Sequence, residues 1–259
     1  VKTLHVVLLS GGLSSSFTLH HVVKQYGRES VVALHTDTTW EDEDNYRFID
    51  EVISHHNVNI AHRIDGRTPP EVWFKTRYLV GKNLAKCSLE LKTKQTLKYV
   101  DDLQSQGIEP ILYFGIGKEE EHRAINLSYR YAPVECRFPL VDNPLSKEYM
   151  KATCESKWKI QIPRMYRLGF SHSNCGGRCI KGGLGHFARL YEVWPERFKE
   201  VEQYEKLFRQ KINPKIAILK DRRGGKIKYV TLESFRKRIV KGTLFDIQGI
   251  DYTPCECMY

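Results

Sequence analysis

The chain has 259 residues, 41% of them apolar and 28% charged, and 41 Lys and Arg against 31 Asp and Glu give it a net charge of +10. That is enough to bury one generous α/β core, or one core with a smaller appendage. No apolar run approaches the ~20 residues that span a bilayer, and the first residues lack the basic-then-apolar order of a secretion signal, so a soluble, cytoplasmic protein is expected. Seven cysteines are an odd count without the spacing of a secreted disulfide framework, which favours reduced thiols or metal ligands.

Hydrophobic periodicity sets out the elements in order. A strand over 4–9 leads to an amphipathic helix over 16–26, a strand over 31–35, a helix over 44–55 and a weak strand over 60–64. Thr68-Pro69-Pro70 is a helix start before 71–78, and a long helical pattern over 88–106 ends at Gly107. Residues 110–116 form a strong buried strand, and 134–138 a fifth before Pro139-Leu140. Alternating β and α elements predict a doubly wound, parallel, five-stranded sheet with right-handed crossovers. After Pro144 the pattern turns to helices over 146–157, 184–193 and 195–210, the last with Pro195 in its first turn. Two strands over 215–220 and 226–231 then make a hairpin around Asp221-Arg222-Arg223-Gly224-Gly225, and Thr231 caps a basic helix over 232–240. The expected division is a nucleotide-binding domain over 1–143 and a helical, cysteine-containing region with a small basic β-hairpin over 144–259.

The most informative stretch is Val6-Val7-Leu8-Leu9-Ser10-Gly11-Gly12-Leu13-Ser14-Ser15-Ser16. It reads as a buried strand entering a small-residue turn and then a helix, the arrangement that presents bare backbone N–H groups to a phosphate. Two glycines let the backbone approach an anion, and Ser10, Ser14, Ser15 and Ser16 offer hydroxyls and a helix cap. The plainer reading is a Ser/Gly turn capping an ordinary helix. The next strand also ends in polar residues, Thr36-Asp37-Thr38-Thr39, at the edge where open α/β sheets bind ligands.

Ser10-Gly11-Gly12-Leu13-Ser14-Ser15 resembles the Ser-Gly-Gly-x-Asp-Ser pattern of the PP-loop ATP pyrophosphatase superfamily, with Ser14 in place of the Asp. Within it the chain is similar to the phosphoadenosine phosphosulfate reductase-like branch. Lys86-Cys87-Ser88-Leu89-Glu90-Leu91-Lys92 looks like that branch's Cys-Ser-x-x-Leu-Lys segment. The block from Gly115-Ile116-Gly117 through Glu120 and Glu121 to Arg123 is similar to its Gly-Ile-Arg-x-x-Glu-Ser-x-x-Arg, with Gly117 where an Arg is common. The three blocks occur in the family's order over about the first 140 residues.

The resemblance implies a Rossmann-like sheet of the HUP type that binds ATP or an adenosine phosphosulfate-type nucleotide. Lys92 and Arg123 are implied as catalytic cationic clamps, and Ser10, Gly11, Gly12, Ser14, Ser15, Ser16, Asp37, Ser88 and Glu120 as nucleotide-binding. Asp37 would meet ribose or Mg2+, and Glu120 would orient Arg123 or a second ligand. For Lys92 and Arg123 the alternative is a plain exposed charge. Ser14 is a poorer Mg2+ ligand than carboxylate.

Cys175 and Cys179 flank a glycine-rich turn, and Cys255 and Cys257 form a second close pair. Four thiolates from two short clusters suit one Zn2+ or an iron–sulfur cluster such as [4Fe-4S]. Unrelated buried thiols or a disulfide are the alternatives, and His172 is a substitute ligand or a solvated loop histidine. Cys87, Cys136 and Cys154 read as ordinary half-buried cysteines, with Cys87 in position to face the nucleotide. Residues 206–241 hold thirteen Lys and Arg and two acids, so the excess charge is local, and an Arg- and Lys-studded hairpin is a surface for a nucleic-acid backbone or else a solvated basic face.

Three functions follow as expectations. The first is an ATP-dependent enzyme that adenylates a substrate oxygen with release of pyrophosphate, in sulfur-related modification of nucleic acid, with a homodimer and a sulfur-donor protein as further partners. The second is a sulfonucleotide reductase, although no Glu-Cys-Gly-Leu-His run of the assimilatory enzymes occurs here. The third is a non-catalytic nucleotide-binding module, which would explain Ser14.

Overall fold

The computed structural model describes residues 2–81, 85–222 and 226–241. In chain order the elements are β1 (Lys2–Leu8), α1 (Leu13–Tyr26), β2 (Val31–Asp37), α2 (Glu43–His56), β3 (Asn59–Ile64), α3 (Pro69–Thr76), α4 (Lys86–Ser88), α5 (Lys94–Ser105), β4 (Ile108–Tyr113), α6 (His122–Tyr131), β5 (Cys136–Arg137), α7 (Pro139–Asp142), α8 (Lys147–Thr153), α9 (Arg164–Arg167), α10 (Leu184–Val193), α11 (Pro195–Lys211), β6 (Leu219–Asp221), β7 (Lys228–Val230) and α12 (Leu232–Val240). The described residues fall into two compact units, one of residues 2–66 and 90–164, the other of residues 67–81, 85–89, 165–222 and 226–241.

The first unit is a doubly wound α/β sandwich. Its five strands lie in the order β3-β2-β1-β4-β5 and all neighbours pair in parallel. Val6, Val7, Leu8, Val31, Ala33, Leu34 and Leu112 are buried, because helices on both faces of a parallel sheet leave its central strands no wet side. The edge strand β3 is more exposed and carries His62 and Arg63, which blunts it against further pairing. Pro110 has no N–H, yet sits in β4 opposite Leu4. It is accommodated because β5 reaches only Leu112 and Tyr113, far less than the strand expected over 134–138; Pro139 opens α7 at once.

The pattern over 88–106 is not one helix. Between α4 and α5 the backbone takes a wide π turn over Leu89–Thr93. That turn adds a residue to the helical period, and the successive side chains of Leu91, Lys92 and Thr93 within it are all buried. A second π turn over Cys154–Trp158 follows α8, where a continuous helix over 146–157 was expected.

Trp158 from that turn stacks on Phe17 of α1 at 4.5 Å and lies 5.1–5.3 Å from the rings of His20, His55 and His56.

The second unit is built on helices. Trp73 and Phe74 of α3 meet Tyr204 and Phe208 of α11, and β6 and β7 form the antiparallel hairpin, shorter than expected. The carboxylate of Glu205, buried in α11, accepts the backbone N–H groups of Ile218 and Leu232, each at 2.7 Å, and so ties α11 to the segments entering β6 and α12. The hairpin residues 223–225 lie outside the described residues. Among the described residues no helix is long and apolar enough to cross a membrane.

The histidine cluster makes stability pH-dependent. Burial pushes His56 down from 6.5 to about 3, helped by His20 and His55; burial also lowers His20, with Lys24, His55 and His21 adding to it. The unfolded chain therefore takes up protons below pH 6.5 that the folded chain refuses, and stability falls as the pH drops from there toward the folded value. Replacing His56→Gln should remove up to about 1.4 kcal/mol per pH unit of that acid sensitivity. Urea midpoints of variant and parent, compared through that window, check it.

Candidate functional site

Strands β1 and β4 are neighbours, but β1 connects to β2 on one side and β4 to β5 on the other. This reversal opens a crevice at their carboxyl ends, where ligands of doubly wound sheets sit. The turn after β1 occupies it. Gly11 has φ +79°, a left-handed conformation that a side chain resists, and a Cβ there would lie 2.5 Å from the amide of Asn45. Asn45 is buried and its Nδ2 donates to the Ser10 carbonyl at 3.1 Å.

Gly12 takes the N-cap position of α1 and no side chain caps it. The first-turn amides of a helix have no carbonyl within it to bind, and the N-terminal end of the dipole adds to their pull on an anion. The serines divide into two groups. The Ser15 and Ser16 hydroxyls are buried and donate to the Gly12 carbonyl, at 2.9 and 3.1 Å, so they brace the turn from inside. Ser10 and Ser14 remain half-buried at the mouth. The loop after β4 closes the other wall: a Cβ on Gly115 would stand 2.5 Å from the Ser15 backbone nitrogen.

The end of β2 supplies charge. The Asp37 carboxylate accepts the Thr39 N–H at 2.7 Å and the Tyr46 hydroxyl at 2.8 Å through the same oxygen, closing a turn in which Thr39 takes φ +56°. Burial and that hydrogen bond push Tyr46 upward and keep it protonated. Glu41 accepts from the Thr38 hydroxyl at 3.2 Å and stands 3.5 Å from Lys92 Nζ, the two side chains being 2% and 9% exposed. Asp42 caps α2 and receives both ends of the Arg164 fork, at 2.8 and 2.9 Å. That bidentate pair fixes the loop carrying Glu41. His35 Nδ1 donates to the Leu9 carbonyl at 2.8 Å, and burial lowers its pKa and keeps it neutral.

In the third block Arg123 is buried and its guanidinium is paired with Glu120. Gly117, where the resemblance places an Arg, has the flexible end of Glu119 as its nearest neighbour. Ser88 is buried in the second unit. Cys175 and Cys179 are in that unit too, and Cys87, half-buried as expected, packs against the same small cluster. Cys255 and Cys257 lie outside the described residues. Among the described residues no three His, Cys, Asp or Glu side chains form a ready metal-binding group. Cys136 and Cys154 are both pushed up to about 12, first by burial and then by an adjacent glutamate, which makes them inert thiols.

Glu41, Asn45, Tyr46 and Arg164 are additions from the structure. The only trace of them in the sequence is the acidic run over 41–44, which reads equally well as a helix start.

No family profile and no curated protein matches the sequence. Among solved structures the chain is similar to the phosphoadenylyl-sulfate (PAPS) reductase from Candida auris in its phosphate complex. Identity is 13%, the match covers 66% of this chain and 79% of that one, and the TM-score is 0.44.

The wall at Gly115 is testable. Gly115→Val places carbon against backbone that cannot swing away, and should cost about 1–3 kcal/mol of stability, more than Gly117→Val, which meets a movable side chain. Thermal melts of both variants read the difference.

Proposed function

We propose that the chain is an ATP-using enzyme of the PP-loop type that transfers AMP to a substrate oxygen. The observation that carries this reading is the uncapped glycine turn at the switch point of the sheet, walled by Asn45 and Gly115, with a buried Lys92–Glu41 pair in the same unit. The substrate oxygen attacks the α-phosphorus, the bond from that phosphorus to the α–β bridging oxygen breaks, and pyrophosphate leaves with that oxygen. The backbone amides of the turn hold the departing pyrophosphate, and Lys92 and Arg123 offset its charge. A sulfur or nitrogen nucleophile then displaces AMP from the activated oxygen.

Mg2+ binds through one or two carboxylates, waters and the substrate's own phosphates. Asp37 fits that modest demand with its second oxygen, whereas Ser14 does not replace the missing Asp. The ion would supply charge neutralisation at the phosphates.

Lys92 is held for this role by its burial. Two charges this far from water have lost hydration that their attraction only partly offsets, and a polyphosphate entering the unit would bring further negative charge to Lys92.

The acceptor class we infer is nucleic acid, from the second unit's basic hairpin and helix. Tyr229 is 65% exposed and Lys220 Nζ lies 5.9 Å from its ring centre, a pairing of cation and aromatic face that suits a phosphodiester and a stacked base. Part of the basic excess is already spent within the protein: Arg236 binds Glu202 bidentately, Lys237 pairs with Glu233, and Arg238 lies 4.0 Å from Asp221. A sulfonucleotide reductase remains the second reading, because the same three blocks are similar to that branch.

Pyrophosphate release from ATP, with and without RNA or DNA, separates the readings. The adenylating reading predicts release that nucleic acid stimulates and that Lys92→Met lowers at least about a hundredfold. Sulfite release from phosphoadenosine phosphosulfate with thioredoxin, and none of pyrophosphate, would replace it with the reductase; neither product would leave a nucleotide-binding module.

A further inference from the structure

The first unit holds a cavity of about 1010 Å³ that the reaction assigned above does not use. Its walls come from the last turns of α1, the end of β4, the start of α6, and β5 with α7 behind it. None of residues 10–16 lines it. The 14 residues of α1 span about 20 Å, so the helix has its first turn at the glycine loop and its last at this second place.

One part of the lining is a braced polar array. His5 Nδ1 and the Tyr113 hydroxyl share a hydrogen bond at 2.8 Å, and the His5 ring stacks on Tyr26 at 3.8 Å and 15°. Arg137 Nη1 donates to the Tyr26 hydroxyl oxygen at 2.6 Å and to that of Tyr113 at 3.4 Å, while its Nε donates to the Glu135 carboxylate at 2.6 Å. Those bonds fix the plane of the guanidinium. Its Nη2 makes no hydrogen bond among the described residues. Burial lowers the pKa of His5, with the Arg137 charge adding to it, and raises that of Tyr113. Both rings are therefore neutral near pH 7, and Arg137 is the cation among them.

The Arg137 side chain is 40% exposed, so an incoming anion displaces water there and breaks no protein contact. A guanidinium edge with open N–H groups matches the paired oxygens of a carboxylate or a phosphate. The two carboxylates of the lining do not cancel it, since Glu121 is paired with Lys118 at 2.7 Å and Asp142 stands exposed to water. The lining also includes Tyr26, Phe138, Pro139 and Ile125, the last 62% exposed. Aromatic and apolar side chains of this kind suit the face of a flat ring, and the volume is at the upper end of the roughly 300–1,000 Å³ of small-molecule pockets. We propose that this cavity is a second ligand site, for a small flat molecule carrying a phosphate or carboxylate, with Arg137 binding the anionic group and Tyr26 and Phe138 the ring. Nucleoside monophosphates and aromatic carboxylic acids share that chemistry. The site needs neither ATP nor the reaction assigned to the glycine turn.

The test is titration calorimetry of the full chain with phenyl phosphate, benzoate, uridine monophosphate and inorganic phosphate, each with and without saturating ATP, on the parent, Arg137→Gln and Ala124→Trp. The second variant fills the cavity from α6 and leaves the polar array intact. At least one ring-bearing anion should bind the parent about tenfold or more tighter than inorganic phosphate, and at least about tenfold more weakly in Arg137→Gln, with ATP changing neither value. Ala124→Trp should abolish that binding, which keeps the test decisive if thermal melts show Arg137→Gln unfolded. Uridine monophosphate or phenyl phosphate as the tightest probe identifies a phosphate source, and benzoate a carboxylate source; either supports the proposal. A chain that binds no ATP leaves these comparisons unchanged, so failure of the adenylating reading is told apart from failure here. Ring-bearing anions that bind no tighter than inorganic phosphate, that ATP displaces, or that bind folded Ala124→Trp as they bind the parent would overturn it.

Discussion

The first unit depends on one close approach. The loop that ends β4 comes so near the turn after β1 that Gly115 has no room for a methyl group beside the Ser15 nitrogen, and on the other side Asn45 fills the space that a Gly11 side chain would need. Two hydroxyls, Ser15 and Ser16, donate to the Gly12 carbonyl and stiffen the turn from inside. A flexible loop would lose entropy on closing around a phosphate. This turn is already braced, so an anion bound as proposed would meet amides set in place by folding.

Charge is organised on the same principle. Burying Lys92 and Glu41 together costs desolvation that their mutual attraction only partly offsets, and stability gives little reason to keep such a pair. The loop that carries Glu41 is in turn fixed by Asp42 and Arg164, so the position of Lys92 is set through a chain of specific contacts running from β2 to α9. Lys92 itself lies in the π turn at Leu89–Thr93, between two other buried residues.

Much of this was legible in the residues. The runs Val6-Val7-Leu8-Leu9 and Val31-Val32-Ala33-Leu34 are too uniformly apolar for anything but central parallel strands, and Ser10-Gly11-Gly12 marks the turn between strand and helix because few other sequences tolerate a left-handed residue there. What the sequence hid was set by tertiary contact. Periodicity over 88–106 is helical to within a residue, and the π turn at Leu89–Thr93 is invisible to a period count. The Ser15 and Ser16 hydroxyls belong to the right residue types for a phosphate site but point inward, since the Gly12 carbonyl is closer than solvent. Residues 134–138 look like a full strand, yet only Cys136 and Arg137 pair, because Pro139 starts a helix. Cys87 falls inside a nucleotide-linked block by sequence and among thiols in space; no local pattern announces a partner nearly ninety positions away.

The central claim is that an adenine polyphosphate rests on the backbone amides of the turn after β1. Amide hydrogen exchange across residues 10–16, followed with and without MgATP, tests it most directly. The account predicts that ATP slows exchange in that stretch, and that Gly115→Val abolishes the slowing while the sheet amides keep their protection. Exchange at residues 10–16 that is indifferent to saturating ATP and to phosphoadenosine phosphosulfate, in a folded protein, would contradict it.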